Sequence, residues 1–193
     1  MPEVAIPHVI GTLMLLMLMS VVSLYTIAVG ISSNLDTSAV SLQEVAENVA
    51  SEVISLLDLS TVSGNASFTY KVIDIPEAIN GQGYTLRIQQ SNLSWAIVAS
   101  LDQYNSVRGE AKLFFSSFDS ASPLRCQTEG GGADDYFIIN SGGQTYKLWY
   151  GPILPSGTGK APGSSFKPVV WCQIYIEDGI QKIRVGLGRL QVS

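Results

Sequence analysis

The side chains able to carry acid–base, nucleophilic or metal chemistry are few in this sequence of 193 residues, and they do not converge on a motif. The only histidine, His8, lies inside an apolar segment, so a Ser-His-Asp or Cys-His arrangement is hard to build. Asp134 and Asp135 could bind a cation, but adjacent carboxylates in a loop are more often simply solvated. The glycine-rich stretch 129–132 is not followed by Lys-Ser/Thr and does not match a phosphate-binding loop. We therefore expect no catalytic, cofactor-binding or metal site, and no enzyme.

The two cysteines, Cys126 and Cys172, lie in the C-terminal part of the chain, without a CxxC motif or a neighbouring histidine. A disulfide between them is the favoured interpretation. It would stabilise the fold by about 4 kcal/mol, provided that the compartment is oxidising. Two buried free thiols are the alternative.

Some residues could carry or bind carbohydrate. Asn65 and Asn92 each begin an Asn-X-Ser sequon, which predicts N-glycosylation if the protein is exported. The tryptophans Trp95, Trp149 and Trp171 could form a sugar-binding platform, although tryptophans in strands more often belong to the core.

The first element that positions these residues is an apolar N-terminal segment. No Asp, Glu, Lys or Arg occurs from Val4 to Leu35, and residues 9–31 consist mainly of Leu, Met, Val, Ile and small residues. At about 1.5 Å per residue, a helix of this length exceeds the roughly 30 Å of a bilayer core. The segment predicts a helix that lies in a membrane or in the core of an assembly.

The charge of the chain excludes some partners and raises a question about its N-terminus. A net charge of -5 argues against nucleic-acid binding, which uses clustered Lys and Arg. The first basic residue is Lys71, so the sequence shows no basic n-region of a signal peptide and no Lys or Arg beside the apolar segment. Both features favour a mature chain from which a basic leader before Met1 has been removed.

A second, amphipathic helix is predicted after a polar interruption. Asp36-Thr37-Ser38 suits a cap, a kink or a brief break, and Ser41-Leu-Gln-Glu44 matches a capping box. Apolar residues then recur at spacings of three and four, at Leu42, Val45, Val49, Val53 and Leu56. This helix is expected to end near Leu59, and the two helices could form one continuous helix.

The rest of the sequence predicts strands. Eight short alternating or β-branched runs are separated by turn signals, of which Glu177-Asp178-Gly179 is the clearest hairpin signal. The predicted strands are 67–75, 84–89, 94–99, 111–115, 136–139, 145–149, 169–176 and 180–185. We therefore expect an α+β chain, with a hydrophobic and amphipathic helix over residues 1–59 and an antiparallel, immunoglobulin-like β-sandwich over residues 60–193.

A charge-free helix that begins almost at residue one, continues into an amphipathic helix and is followed by a β-domain resembles the type IV pilin-like superfamily. The resemblance covers residues 1–59, is strongest to the archaeal pilins and archaellins, and is one of architecture rather than of a long motif. It implies that a prepilin peptidase removes a basic leader, that the subunit waits in the cytoplasmic membrane, and that assembly machinery then builds a helical filament of identical subunits. Such filaments are extracellular and serve adhesion or motility.

The resemblance also implies assembly residues. Bacterial members carry a glutamate near the mature N-terminus that pairs with a neighbouring subunit's terminal amine; here Glu3 is the only acidic residue in that region, and it is not at the usual fifth place. Small residues would let identical helices approach one another closely. The positions expected to carry assembly are Glu3, Gly11, Leu15, Leu18, Val22, Tyr25 and Val29.

Two other functions fit the same features. One is a surface protein anchored by a single spanning helix, such as an archaellum accessory or stator-like protein. The other is an exported, anchored enzyme or carbohydrate-binding module.

Overall fold

The computed structural model describes residues 5–63, 68–91, 94–114, 124–128, 135–141, 144–155, 165–177 and 180–192. Within these residues, one helix precedes nine strands. The elements are α1 (Ala5–Ser63), β1 (Phe68–Val72), β2 (Tyr84–Ser91), β3 (Ser94–Leu101), β4 (Arg108–Leu113), β5 (Leu124–Gln127), β6 (Tyr136–Ser141), β7 (Gln144–Tyr150), β8 (Ser165–Glu177) and β9 (Ile180–Val192).

The chain forms two compact units, Met1–Ser38 and Ala39–Ser193. The boundary expected near residue 59 follows the change from helix to strand. The boundary between the compact units lies about twenty residues earlier, because the second half of α1 packs against the strands of its own unit.

The helix is not interrupted at residues 36–38. The Thr37 hydroxyl donates to the Ser33 carbonyl at 2.9 Å and the Ser38 hydroxyl donates to the Asn34 carbonyl at 2.8 Å. These polar side chains bond to the preceding turn instead of capping a new helix, so the helical backbone continues through them. Of the alternatives that the sequence left open, one continuous helix is the correct one.

Within the second unit, α1 buries one apolar stripe. Spacings of three and four place the buried side chains on one side of the helix, as the sequence predicted. They are Leu42, Val45, Ala46, Val49, Ala50, Val53 and Leu56. Burying an aliphatic side chain of this size stabilises a fold by about 1.5–3 kcal/mol, so the stripe holds the helix against the strands.

The smaller sheet has the order β2-β3-β4 and lies directly on this helix. A Cβ on Gly109 would come within 2.3 Å of the Gln43 backbone nitrogen, so the two backbones are in contact there. The Gln43 side chain accepts from the Glu110 N–H at 2.9 Å and donates to the Glu110 carbonyl at 3.1 Å. This pair of hydrogen bonds fixes the position of the helix along β4.

The larger sheet has the order β1-β8-β9-β7-β6, and β5 pairs with β9 as well. Lys71 of β1 forms an ion pair with Glu52 of α1. On the opposite face, the fully buried Trp171 lies over Gly186 and Gly188, where a Cβ would come within 2.5 Å and 3.4 Å of the indole ring. Its indole N–H donates to the Leu187 carbonyl at 2.9 Å.

The predicted disulfide between Cys126 and Cys172 is wrong for this structure, in which both cysteines are free and buried. Cys126 of β5 and Cys172 of β8 are both opposite Val185, on its two sides. Two strand spacings of about 4.8 Å therefore separate them, whereas a disulfide requires Cα atoms within about 7 Å. The alternative of two buried thiols is the correct one.

All eight predicted strands are present, with shifted ends, and the α+β class is confirmed. The Glu177-Asp178-Gly179 hairpin is confirmed by its register, since Glu177 pairs with Ile180. The short strand β5 was not predicted, and it pairs with β9 in parallel, whereas the other pairs are antiparallel. The immunoglobulin-like sandwich stays a prediction.

Candidate assembly surface

The first half of α1 presents an apolar surface on every side. Its large apolar side chains from Val9 to Ile31 are between 49% and 70% exposed, so none of them packs inside the chain. Of the described residues, this helix alone is long and apolar enough to cross a membrane. A helix that is hydrophobic all round is normally buried in a large core or a bilayer, so this surface requires an environment that the single chain does not supply.

Three hydroxyl side chains of this segment form hydrogen bonds within the helix. The Thr12 hydroxyl donates to the Val9 carbonyl at 2.9 Å, and Ser20 donates to the Leu16 carbonyl at 2.9 Å. Thr26 donates to the carbonyls of both Val22 and Ser23. Because an unpaired hydroxyl is costly in an apolar medium, these bonds let the segment enter lipid or a protein core without leaving these donors unpaired.

The predicted assembly residues fall on one stripe of the helix. Their spacings of four and three keep Gly11, Leu15, Leu18, Val22, Tyr25 and Val29 within an arc of about 80° at 100° per residue. The other sides are equally exposed and equally apolar, as Met14, Leu16 and Met17 show at 70%, 63% and 67%. The structure therefore brings the six residues together but does not distinguish their face from the others.

Glycine leaves room for close approach along the same segment. A Cβ placed on Gly11 or Gly30 would meet nothing within 4 Å, so both positions are open to a neighbouring molecule. Small residues at such positions allow the backbones of two helices to approach each other.

Some predicted site residues lie outside the described residues. These are Glu3 and the two sequon asparagines, Asn65 and Asn92. The position of Asp134 also falls outside, while Asp135 lies just before β6.

The tryptophans do not form a common platform. Trp171 is fully buried, and Trp95 and Trp149 are half-buried in different sheets. Trp149 packs against Tyr136, with ring centroids 4.9 Å apart and the rings tilted by 50°. The core interpretation therefore holds for Trp171.

The described residues hold no group of three or more His, Cys, Asp or Glu side chains able to bind a metal ion. The buried thiols are poor nucleophiles: burial raises the pKa of Cys126 to about 12, and burial also raises the pKa of Cys172, an effect partly offset by its hydrogen bond with Ser60.

A groove of about 460 Å³ opens beside the ends of β1 and β8. Its walls include Ile73, Ile153 and Phe166, and the charged Asp74 and Arg189 also line it. Among the described residues, neither His nor Cys lines this groove, and the charged groups that do line it suggest no defined reaction.

The sequence interpretation missed a pair of charged surfaces in the second unit. On the outer face of the smaller sheet, Arg87, Arg108 and Lys112 are exposed, and none of them forms an ion pair with another described residue. On α1, Glu44 and Glu47 are exposed on the side opposite the apolar stripe, and Glu47 accepts from Gln43 at 2.8 Å. The alternation of the strand sequences could have revealed the basic face, but only with the register of β2, β3 and β4 in hand.

Comparison with known proteins yields no match. No protein family, no curated protein and no solved structure matches this chain.

Proposed function

We propose that this chain is a structural, non-enzymatic subunit of an archaeal type IV pilus-like extracellular filament. It polymerises through the first half of α1 and serves adhesion or motility. The observation that carries the proposal is that every large apolar side chain of residues 9–31 is at least 49% exposed, while residues 39–193 form a separately packed unit.

The energetic argument follows from the size of this apolar surface. Full burial of one aliphatic side chain gains about 1.5–3 kcal/mol relative to its exposure to water. The segment carries more than a dozen large apolar side chains that are exposed in the single chain. A gain of this size favours any state that removes the segment from water. In a filament of identical subunits, the apolar segments of neighbouring copies would cover one another.

The membrane is the place of the subunit before assembly in this proposal. A prepilin peptidase and an assembly machinery act on the membrane-held precursor, and the segment then moves from lipid into the filament core. The internally bonded hydroxyls of Ser20 and Thr26 support both locations, because they need no partner from outside the helix. The immunoglobulin-like sandwich belongs to the same proposal, and the presence of two sheets, six-stranded and three-stranded, supports it.

A second candidate is a surface protein held by one spanning helix, such as an archaellum accessory or stator-like protein. The observation that favours it is the length and composition of α1, which satisfy a single span without any neighbouring copy. Both candidates place the same residues, 9–31, in an apolar environment. They differ in the number of copies that come together, which is many in a filament and one in a membrane anchor.

Electron microscopy of material sheared from the cell surface separates the two candidates. Helical filaments that react with an antibody against residues 39–193 support the filament subunit. Mass spectrometry of the native N-terminus, compared with the first residue that the gene encodes, then tests processing: a leader that is encoded and absent from the native protein is the expected result. A chain found only in detergent-extracted membranes, as isolated copies, would contradict the filament and support the anchor.

A further inference from the structure

We propose that the second unit carries a second assembly contact, in which the basic outer face of the smaller sheet of one copy binds the acidic side of α1 of the next copy. The basic face is defined by Arg87, Arg108 and Lys112. The acidic side is defined by Glu44 and Glu47. The contact rests on the proposed function and adds to it a specific, charge-driven pairing of the folded units.

The basic face is built by strand register. Arg87 of β2 and Glu110 of β4 are both opposite Val98 of β3, and Lys112 is opposite Ala96. The central residues of this face, Ala96 and Val98, have short side chains and are 0% and 2% exposed. This face carries three exposed cations, the half-buried Glu110 and, at its end, the exposed Asp102, which accepts a hydrogen bond from Thr85 at 2.6 Å.

The acidic side is built by helical spacing. Glu44 and Glu47 are three residues apart and therefore adjacent on the helix surface. They lie opposite the buried stripe that includes Val45, Val49 and Val53. Within the described residues no Lys or Arg pairs with either carboxylate, whereas the neighbouring Glu52 is already paired with Lys71.

The two surfaces cannot meet within one copy. Gly109 and Gln43 hold the inner face of the smaller sheet against the helix, so the outer face with its cations points away from α1. The acidic side likewise points away from the sheets. Surfaces of opposite charge on opposite sides of one unit make a heterologous, head-to-tail contact, and such contacts produce open helical polymers when the rotation does not close.

The charge distribution of the whole sequence supports the same partner. Six of the sixteen carboxylates and none of the eleven Lys and Arg lie in residues 1–70, so this part carries a charge of -6. The remaining residues, with ten acids and eleven bases, carry +1. The acidic helix of one copy and the basic face of another are therefore complementary in charge, and complementary charge fixes the register of an interface.

An exposed aromatic ring lies beside the basic face. Phe114, directly after β4, is 81% exposed. An apolar anchor next to charged groups is a common composition for a contact between proteins, in which aromatic residues supply much of the binding energy.

Charge reversal in the full-length chain, expressed in cells that assemble it, tests the contact. The variant R87E/K112E and the variant E44K/E47K should each reduce the yield of sheared filaments about tenfold, because attraction is replaced by repulsion. The combined variant R87E/K112E/E44K/E47K restores opposite charges and should recover a yield within about twofold of the original chain. The matched control R125E/K167E reverses two exposed basic residues of the larger sheet and should leave the yield unchanged.

Each outcome decides between the proposals. Thermal unfolding of every variant in detergent micelles should stay close to that of the original chain, since the changed side chains are solvent-exposed and the one hydrogen bond lost, from Gln43 to Glu47, is itself at the surface. Filaments of the original chain together with undiminished yield from R87E/K112E, or no recovery in the combined variant, would overturn the charge contact and leave the proposed function standing. Absence of filaments from the original chain would overturn the proposed function and this contact with it.

Discussion

The two halves of α1 have the same backbone structure and different surroundings. Residues 9–31 are apolar on all sides, and their side chains are exposed in the single chain. Residues 42–56 are apolar on one side only, and that side is buried against strands. Both halves form helix equally well. The distribution of polar residues around the helix therefore decides whether its apolar side chains can be buried by its own chain or require other molecules.

The largest effect on assembly is expected from a charge placed in the first half. Leu18→Asp should abolish filament assembly while the second unit keeps its thermal unfolding midpoint, because Leu18 is 66% exposed in the single chain. A charged residue at the centre of an apolar environment costs about 2.5–3.5 kcal/mol, which corresponds to a loss of roughly 100-fold. Sheared filament yield and circular dichroism melting measure the two quantities.

The matched control for this prediction is Leu18→Ile, which keeps the apolar surface and should assemble like the original chain. Normal filaments from Leu18→Asp would show that this part of the helix is not covered by other molecules, and the contrast between the two halves would lose its functional meaning.

Replacing a large aromatic residue by alanine should lower the free energy of unfolding in the second unit and leave it unchanged in the first half of α1. Trp171 is fully buried and packs with Phe68, Phe137 and Tyr150, so Trp171→Ala should lower the free energy of unfolding by about 3–5 kcal/mol. Tyr25 is 70% exposed, so Tyr25→Ala should leave unfolding unchanged. Urea unfolding of both variants in the same detergent measures the difference, and equal losses would contradict the division into two units.

Adding a methyl group to a glycine tests the same difference between the two regions, with a smaller expected change in the free energy of unfolding. Gly109→Ala would push a Cβ to within 2.3 Å of the Gln43 nitrogen, and the helix must move away from β4. We expect a loss of about 1–3 kcal/mol, as for other overpacked cores. The control Gly11→Ala meets no atom within 4 Å and should not change the stability of the second unit. Wild-type stability in Gly109→Ala would mean that α1 does not contact β4 closely.

Local patterns predicted the elements well. The apolar and amphipathic parts of α1 follow from composition and from spacings of three and four, and eight strands follow from alternation and turn signals. The continuous helix at Thr37 and Ser38 was only one of the possibilities, since the same residue types serve either as caps or as side chains bonded to the preceding turn.

Features that depend on pairing between distant residues could not be predicted. The four residues of β5 become a strand only because β9 offers an edge in parallel, and no local signal marks that partner. The same register places Val185 between Cys126 and Cys172 and thereby prevents the disulfide. The basic face formed by Arg87 and Lys112 likewise appears only when β2, β3 and β4 are aligned.

The smallest expected effect is the pH dependence that the buried Cys126 thiol gives to the free energy of unfolding of the second unit. Burial raises the pKa of the Cys126 thiol from its ordinary value of 9.0 to about 12. Between these values the folded chain keeps the proton and the unfolded chain has lost it, so the free energy of unfolding should fall as the pH rises from about 9 to 12. Below pH 9 this group should contribute no pH dependence.

Urea midpoints measured from pH 8 to 11 should therefore decline less steeply in Cys126→Ala than in the original chain. The part of the slope that remains comes from other groups, including Cys172, whose pKa burial also raises.

Alkylation of the denatured, unreduced protein should add one blocking group to each cysteine, because neither thiol is oxidised in this structure. Protein that resists alkylation until it is reduced would mean that the strand register around Val185 is different.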